Sequence, residues 1–168
     1  MKDIQERLAN IELVIFDVDG VLTDGSLIVD SEGREALRFD VQDGYGIFRG
    51  YRAGLSYAII TGRNSEVVGH RARELRIERI YLGQKIKVTA FEDLVAESGI
   101  DPESMAYVGD DLNDMQVMKL AGISCAVANA RPEVKEIVDV ITVAKGGYGA
   151  VREFLEMIIA AKGGVPTP

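Results

Sequence analysis

Val14-Ile15-Phe16-Asp17-Val18-Asp19-Gly20-Val21-Leu22-Thr23-Asp24 runs from apolar to acidic residues within a few positions. Val14-Ile15-Phe16 is a short, β-rich apolar run and predicts a fully buried strand. Side chains two apart on a strand share a face, so Asp17 and Asp19 project together from its end. In an open α/β sheet that end is where ligands bind. Two adjacent anions repel, so a metal cation, a shared proton or basic neighbours should accompany them. The plainer reading is a pair of turn or helix-capping aspartates, since Asp and Gly are common turn residues.

Outward from that stretch, strand and helix alternate. Ser26–Asp30 and Glu35–Asp40 flank a Gly33-containing turn and predict a β-hairpin over about 24–40, which would stand beside the Asp pair as a flap or serve as a plain sheet edge. Asp43-Gly44-Tyr45-Gly46 reads as an interruption before a helix at about 46–54. Strands follow at about 56–60, 79–82, 105–108, 123–127 and 138–143, and helices at about 65–76, 112–120 and 150–162, with Gly83–Lys87 leading into a further helix that ends near Gly99. A short polar helix is expected within residues 1–12, and Pro132 should sit in the first turn of another. This alternation predicts an α/β, three-layer Rossmann-like fold with a parallel sheet and no separate cap domain. The chain reads as one domain, 1–168, with a Gly-rich tail and helix over 145–168 and a mobile end from Gly163.

Composition narrows the function classes. The chain has 168 residues, 47% hydrophobic and 27% charged, which suits a globular protein with a sizeable core. A net charge of -8 argues against general affinity for nucleic acid or an anionic membrane. No apolar run has membrane-spanning length and no signal-type leader is evident, so a cytoplasmic protein is expected. The one cysteine, Cys125, lies in an apolar run and reads as a small buried side chain rather than a nucleophile. His70 reads as a surface histidine.

Polar residues cluster at the predicted strand ends. The first strand supplies Asp17 and Asp19, the second Thr61, and the fourth Asp110 followed by Asp111 and Asp114. Lys87 follows the third strand. Asp110 and Asp114 are four apart, so a helix starting there would set them on one face. Carboxylates with no neighbouring histidine or cysteine suit Mg²⁺ better than zinc. A hydroxyl, a lysine, a carboxylate pair and Mg²⁺ are a sufficient set for phosphoryl transfer, in which the protein positions and neutralises phosphoryl oxygens. A carboxylate can itself act as the nucleophile.

The four segments Asp17-Val18-Asp19-Gly20-Val21, Thr61-Gly62, Lys87 and Gly109-Asp110-Asp111-Leu112-Asn113-Asp114 resemble, in order and spacing, the haloacid dehalogenase superfamily. The resemblance implies that Asp17 attacks phosphorus and that Asp19 protonates the leaving oxygen and later activates water. It implies Mg²⁺ held by Asp17, the Asp19 main-chain carbonyl and Asp110, with Asp111 or Asp114 orienting these ligands. Thr61, Gly62 and Lys87 would hold the phosphoryl group.

From about residue 12 to residue 162 the chain is similar to the small phosphatases acting on 3-deoxy-D-manno-octulosonate 8-phosphate. Phe39-Asp40-Val41-Gln42-Asp43-Gly44-Tyr45-Gly46-Ile47, Ile60–Arg63, Tyr81–Gln84 and Gly146–Glu153 carry that similarity. It implies that the Asp40, Val41, Gln42, Asp43, Gly44 loop, with Arg63 and Arg71, faces a phosphorylated sugar acid. A guanidinium suits a carboxylate-bearing sugar. The plainer reading of Arg71 is a solvated helix face. Phe48 and Tyr148 depart from the family, which often has Arg at both places. Arg63 favours the octulosonate branch over its nonulosonate 9-phosphate relatives. The resemblance further implies a homotetramer joined through the hairpins, with the Gly146–Gly149 tail reaching an adjacent site or acting as an ordinary connector. Against it stand another sugar phosphatase of the superfamily and a non-catalytic phospho-ligand-binding module.

Overall fold

The computed structural model describes residues 3–164. The expected mobile end beyond residue 164 lies outside them. Strand β1 (Leu13–Phe16) is buried along its whole length, as a strand covered on both faces must be. A two-stranded antiparallel hairpin follows, β2 (Ile28–Val29) and β3 (Glu35–Ala36), closed at its base by a Thr23–Phe39 bridge. The remaining strands are β4 (Ser56–Ile60), β5 (Arg79–Tyr81), β6 (Met105–Gly109), β7 (Ile123–Ala126) and β8 (Val140–Ile141). Apart from the hairpin they join β1 in one parallel sheet of order β5-β4-β1-β6-β7-β8.

That order reverses direction at β1. The chain moves outward through β4 and β5, then returns to the other side of β1 for β6, β7 and β8. The crevice beyond the carboxyl ends of β1 and β6 is therefore the switch point where such sheets take ligands. Register fixes what meets there. Phe16 lies opposite Ile59 and Val108, so Asp17 is level with Ile60 and Gly109, and Thr61 and Asp110 extend one residue further.

Helices α1 (Ile4–Ala9), α2 (Val41–Arg52) and α7 (Ala150–Ala161) pack on one another as one layer. Of the helices α3 (Glu66–Glu74), α4 (Lys87–Ser98), α5 (Met115–Met118) and α6 (Pro132–Lys135), α4 and α5 pack together beside β4, β6 and β7. Within the core Phe16 stacks on Tyr57 at 5.6 Å, and Tyr57 meets Tyr51 edge-on at 4.8 Å. The Tyr57 hydroxyl donates to the Ile47 carbonyl at 3.0 Å, so the buried ring keeps its polar end paired. Among the described residues no helix is long and apolar enough to cross a membrane.

Two elements differ from the sequence expectation. Helix α2 begins at Val41, not near residue 46, so Asp40–Gly44 is a cap and first turn and not a loop. The Asp40 carboxylate accepts from Gln42 N–H and starts the helix. Gly46 is required inside it, because a Cβ there would lie 2.8 Å from Arg152 Cδ. Packing against α7 thus overrides the low helix propensity of glycine, about 1 kcal/mol below alanine. The helix expected over 112–120 is instead a single tight turn, Leu112–Asp114, followed by the short α5. Here the Asp114 side chain folds back onto the N–H groups of Asp110 and Asp111.

Candidate active site

An open cleft of about 640 Å³ lies at the switch point and is lined by Asp17, Asp19, Thr61, Gly62, Arg63 and Asp110, with Asp111 at its edge. The residues expected to do chemistry therefore converge. Lys87, the first residue of α4, reaches the cleft from below, where its Nζ lies 2.9 Å from Asp17 Oδ1 and 2.7 Å from Asp114 Oδ1. Its side chain is fully buried.

The loop after β1 is shaped by two contacts. Asp17 Oδ1 accepts the Val18 N–H at 2.7 Å, and with Lys87 this occupies one carboxylate oxygen and leaves the other facing the cleft. Gly20 has φ +80°, and a Cβ there would lie 2.1 Å from Asp110 Oδ2. Only glycine lets the backbone pass that close to a carboxylate.

Carboxylate oxygens of Asp17, Asp110 and Asp114 lie within 4.8 Å of one another. Distance alone would make all three metal ligands, but the hydrogen bonds separate them. Asp114 Oδ1 takes Lys87 and the Tyr107 hydroxyl, each at 2.7 Å, and Oδ2 takes the N–H groups of Asp110 and Asp111. Asp114 is thus a buried, saturated orienting group. Asp111 caps the next turn through Leu112 N–H at 2.7 Å and is exposed. For the side chains of Asp110 and the cleft-facing oxygen of Asp17, no hydrogen-bond donor stands among the described residues.

Electrostatics agree. Three carboxylates face one ammonium, leaving two uncompensated negative charges when all ionise, which equals the charge of one divalent cation. Burial, then repulsion from Asp114, pushes the Asp17 carboxyl up to about 6, with Lys87 opposing. Burial, then Asp17, Asp114 and Asp111, pushes Asp110 up to about 8. For Lys87 burial works against the charge, but the two acids outweigh it and its pKa is raised. An all-oxygen donor set with this deficit fits Mg²⁺.

Thr61 is buried, and its Oγ1 accepts from Arg63 N–H at 3.2 Å, leaving the hydroxyl proton free. Arg63 Nε contacts both oxygens of Asp19, at 2.8 and 3.1 Å. The sequence offers no sign of a further partner that the fold supplies. Glu35 on the hairpin reaches Arg63 Nη1 at 3.5 Å and hydrogen-bonds the Ser65 hydroxyl. The hairpin is therefore a flap resting on the Thr61–Ser65 loop.

The rest of the expected sugar-facing set is elsewhere in this chain. Val41, Gly44 and Arg71 line a separate groove of about 910 Å³ between α2 and α3. That groove is the larger cavity, but it holds none of the carboxylates, so the chemistry belongs to the smaller cleft. Arg71 is not a solvated residue: it pairs with Glu74 at 2.8 Å, reaches the Asp40 carbonyl at 3.4 Å, and lies over Phe39. Gln42 is exposed and Asp43 is buried. Asp43 Oδ1 accepts the Arg152 N–H at 2.8 Å, holding the start of α7, and its Oδ2 has no partner. The Gly146–Gly149 tail packs on the Gly20–Asp24 loop of its own chain. Cys125 is buried and its thiol pushed up, and His70 is exposed beside Arg73.

A Rossmann-like sheet whose switch point holds paired aspartates, a buried lysine and a threonine has the parts of a phosphoryl-transfer enzyme. A family model described as haloacid dehalogenase-like hydrolase matches residues 76–155. A 3-deoxy-D-manno-octulosonate 8-phosphate phosphatase of Escherichia coli is 46% identical over 151 residues, covering 90% of this chain and 80% of that protein. The crystal structure of the phosphatase of the same name from Yersinia pestis superposes with a TM-score of 0.94 at 42% identity, over 96% of this chain and 88% of that one. That from Moraxella catarrhalis, in complex with magnesium ion, phosphate ion and a KDO molecule, gives 0.93 at 42% identity, over 97% and 94%. The chain belongs to the haloacid dehalogenase-like hydrolases.

Proposed function

We propose that this protein is a Mg²⁺-dependent phosphatase that hydrolyses 3-deoxy-D-manno-octulosonate 8-phosphate to the free sugar acid and phosphate. The observation that carries the reading is the meeting of Asp17, Asp19, Thr61 and Asp110 in one cleft, with Lys87 buried behind Asp17. The relatives named above support the choice of substrate.

In this mechanism the cleft-facing oxygen of Asp17 attacks phosphorus in line with the sugar oxygen. Asp19, as the acid, gives its proton to that leaving oxygen as the P–O bond breaks, and an aspartyl phosphate remains on Asp17. Asp19, now a carboxylate, takes a proton from water as it attacks phosphorus, and phosphate leaves with Asp17 restored. Thr61 and the Gly62 main chain hold phosphoryl oxygens. Lys87 orients Asp17 and offsets charge. Asp17, Asp110 and the Asp19 carbonyl would hold Mg²⁺, which when bound neutralises the phosphoryl oxygens. Arg63, already paired with Asp19, exchanges that partner for the sugar carboxylate.

Val41, Gly44 and Arg71 line a different groove from the cleft of their own chain, so in this reading the Asp40–Gly44 segment and Arg71 serve the sugar bound to a second copy. The exposed Leu27, Ile28 and Val29 of the hairpin support a homotetramer joined there. The enzyme would act in the cytoplasm, as one domain, on a precursor of lipopolysaccharide.

The test is phosphate release from a panel of sugar phosphates with Mg²⁺. The octulosonate 8-phosphate should be turned over best. Preference for a nonulosonate 9-phosphate would replace the substrate, and no turnover of any ester would favour a binding module.

A further inference from the structure

One turn, between β7 and α6, touches both loops that carry the metal-side carboxylates. Arg131 N–H donates to the Asp110 carbonyl at 2.8 Å. Two residues earlier, Asn129 Nδ2 donates to the Gly20 carbonyl at 3.0 Å, and Asn129 Oδ1 accepts the Gly146 N–H at 2.7 Å. Gly146 is seated against the back of the catalytic loop, where a Cβ would lie 1.7 Å from the Gly20 oxygen. Gly147 N–H donates to the Val21 carbonyl at 3.0 Å, and Arg38 donates to the Gly147 carbonyl at 2.7 Å.

Gly20 is thus a thin layer, with the Asp110 carboxylate on one side and Gly146 on the other. Its N–H belongs to the same peptide plane as the Asp19 carbonyl and donates to Thr23 Oγ1 at 3.3 Å. The next peptide plane is pinned by Asn129. Two consecutive planes are held, so the direction of the Asp19 carbonyl is set. Main-chain bonds link Arg131 to Asp110 and Gly147 to Val21, while the Thr23 and Arg38 side chains bind Gly20 and Gly147 singly. Asn129 makes the link with a side chain, and a carboxamide supplies the donor and acceptor that the two backbone groups need.

We propose that Asn129 is a positioning residue that locks the Asp19–Gly20 main chain against the Asp110 loop and so sets the spacing at which a divalent cation is held. The proposal rests on the Mg²⁺-phosphatase reading for what the cation does, but not for whether it binds. Groups that orient metal ligands change affinity by about 10–100-fold when removed.

The experiment is calorimetric titration of Mg²⁺ into metal-free wild-type protein, Asn129→Ala and a control, Lys135→Ala. The control removes a bond from Lys135 Nζ to the Ala128 carbonyl in the same turn without touching Gly20. Asn129→Ala should raise the Mg²⁺ dissociation constant about 10–100-fold while Lys135→Ala leaves it within about twofold. With the sugar-acid phosphate, the deficit of Asn129→Ala should shrink as Mg²⁺ is raised, with KM changed by less than about threefold. Gly146→Ala, which pushes Gly20 from behind, should weaken Mg²⁺ in the same direction. Equal Mg²⁺ affinity in Asn129→Ala and wild type, or equal weakening in Lys135→Ala, overturns the proposal. Failure of the wild type to release phosphate would instead overturn the function, with the calorimetry still deciding Asn129.

Discussion

Lys87 Nζ lies 2.9 Å from Asp17 Oδ1, inside a pocket that leaves the lysine side chain no exposure. The ammonium therefore holds Asp17, the proposed nucleophile, directly. It also bridges Asp17 to Asp114, which is tied to the Asp110 backbone. One buried cation thus connects the two switch-point loops.

Removing that cation should be costly. Lys87→Met leaves two buried carboxylates without their partner, which in comparable sites destabilises by about 3–5 kcal/mol. Urea unfolding should show the loss in full in metal-free protein, with part of it recovered when Mg²⁺ is added. Unchanged stability without metal would show that the acids do not depend on Lys87.

Asp17→Asn tests the nucleophile apart from the fold. The amide keeps the shape and the Val18 N–H contact but cannot form the acyl phosphate. Turnover should fall by a factor on the order of 10⁴ or more, with circular dichroism unchanged. Residual activity near the wild-type level would remove Asp17 from the chemistry.

Arg63→Lys separates substrate recognition from phosphoryl transfer. A lysine cannot reproduce the guanidinium fork that contacts both Asp19 oxygens and Glu35. We expect a loss of about 1.5–3 kcal/mol in kcat/KM for the sugar-acid phosphate, roughly 10–150-fold. Hydrolysis of p-nitrophenyl phosphate, which lacks the carboxylate, should fall much less. Equal losses on both substrates would assign Arg63 to the chemical step alone.

Asp43 gives the fold a pH signature. Burial pushes its carboxyl from 3.8 up to about 6, although the N–H groups of Arg152, Gly149 and Val151 oppose the shift. The folded state therefore holds a proton that the unfolded chain gives up. This stabilising contribution is present below pH about 4, declines as pH rises to about 6 and is gone above it. Asp43→Asn should thus gain on wild type by up to ~2–3 kcal/mol between pH 4 and 7. Urea midpoints at the two pH values check it, and a difference that does not vary with pH would contradict it.

What could be read from the sequence follows distance along the chain. The Val14–Phe16 run and the aspartates after it are local, so strand, switch-point carboxylates and Thr61 were all legible. The start of α2 was not, because Gly46 is decided by Arg152, far along the chain on α7. The same applies to Asp43, whose carboxylate accepts the Arg152 N–H of α7 across 109 residues, a contact that no local pattern announces. Glu35 carried no pattern at all, since its meeting with Arg63 depends on how the flap folds back. Asp110 and Asp114 were rightly grouped but for the wrong reason. A shared helix face does not join them; a carboxylate turned back onto backbone N–H groups does.

The most direct test of the central claim is a crystal structure with Mg²⁺ and beryllium fluoride. One cation should be bound by Asp17, Asp110 and the Asp19 carbonyl, with the fluoride group on the cleft-facing oxygen of Asp17 and in contact with Thr61. A cation that does not join Asp17 to Asp110, or a fluoride group carried by any other residue, would contradict it.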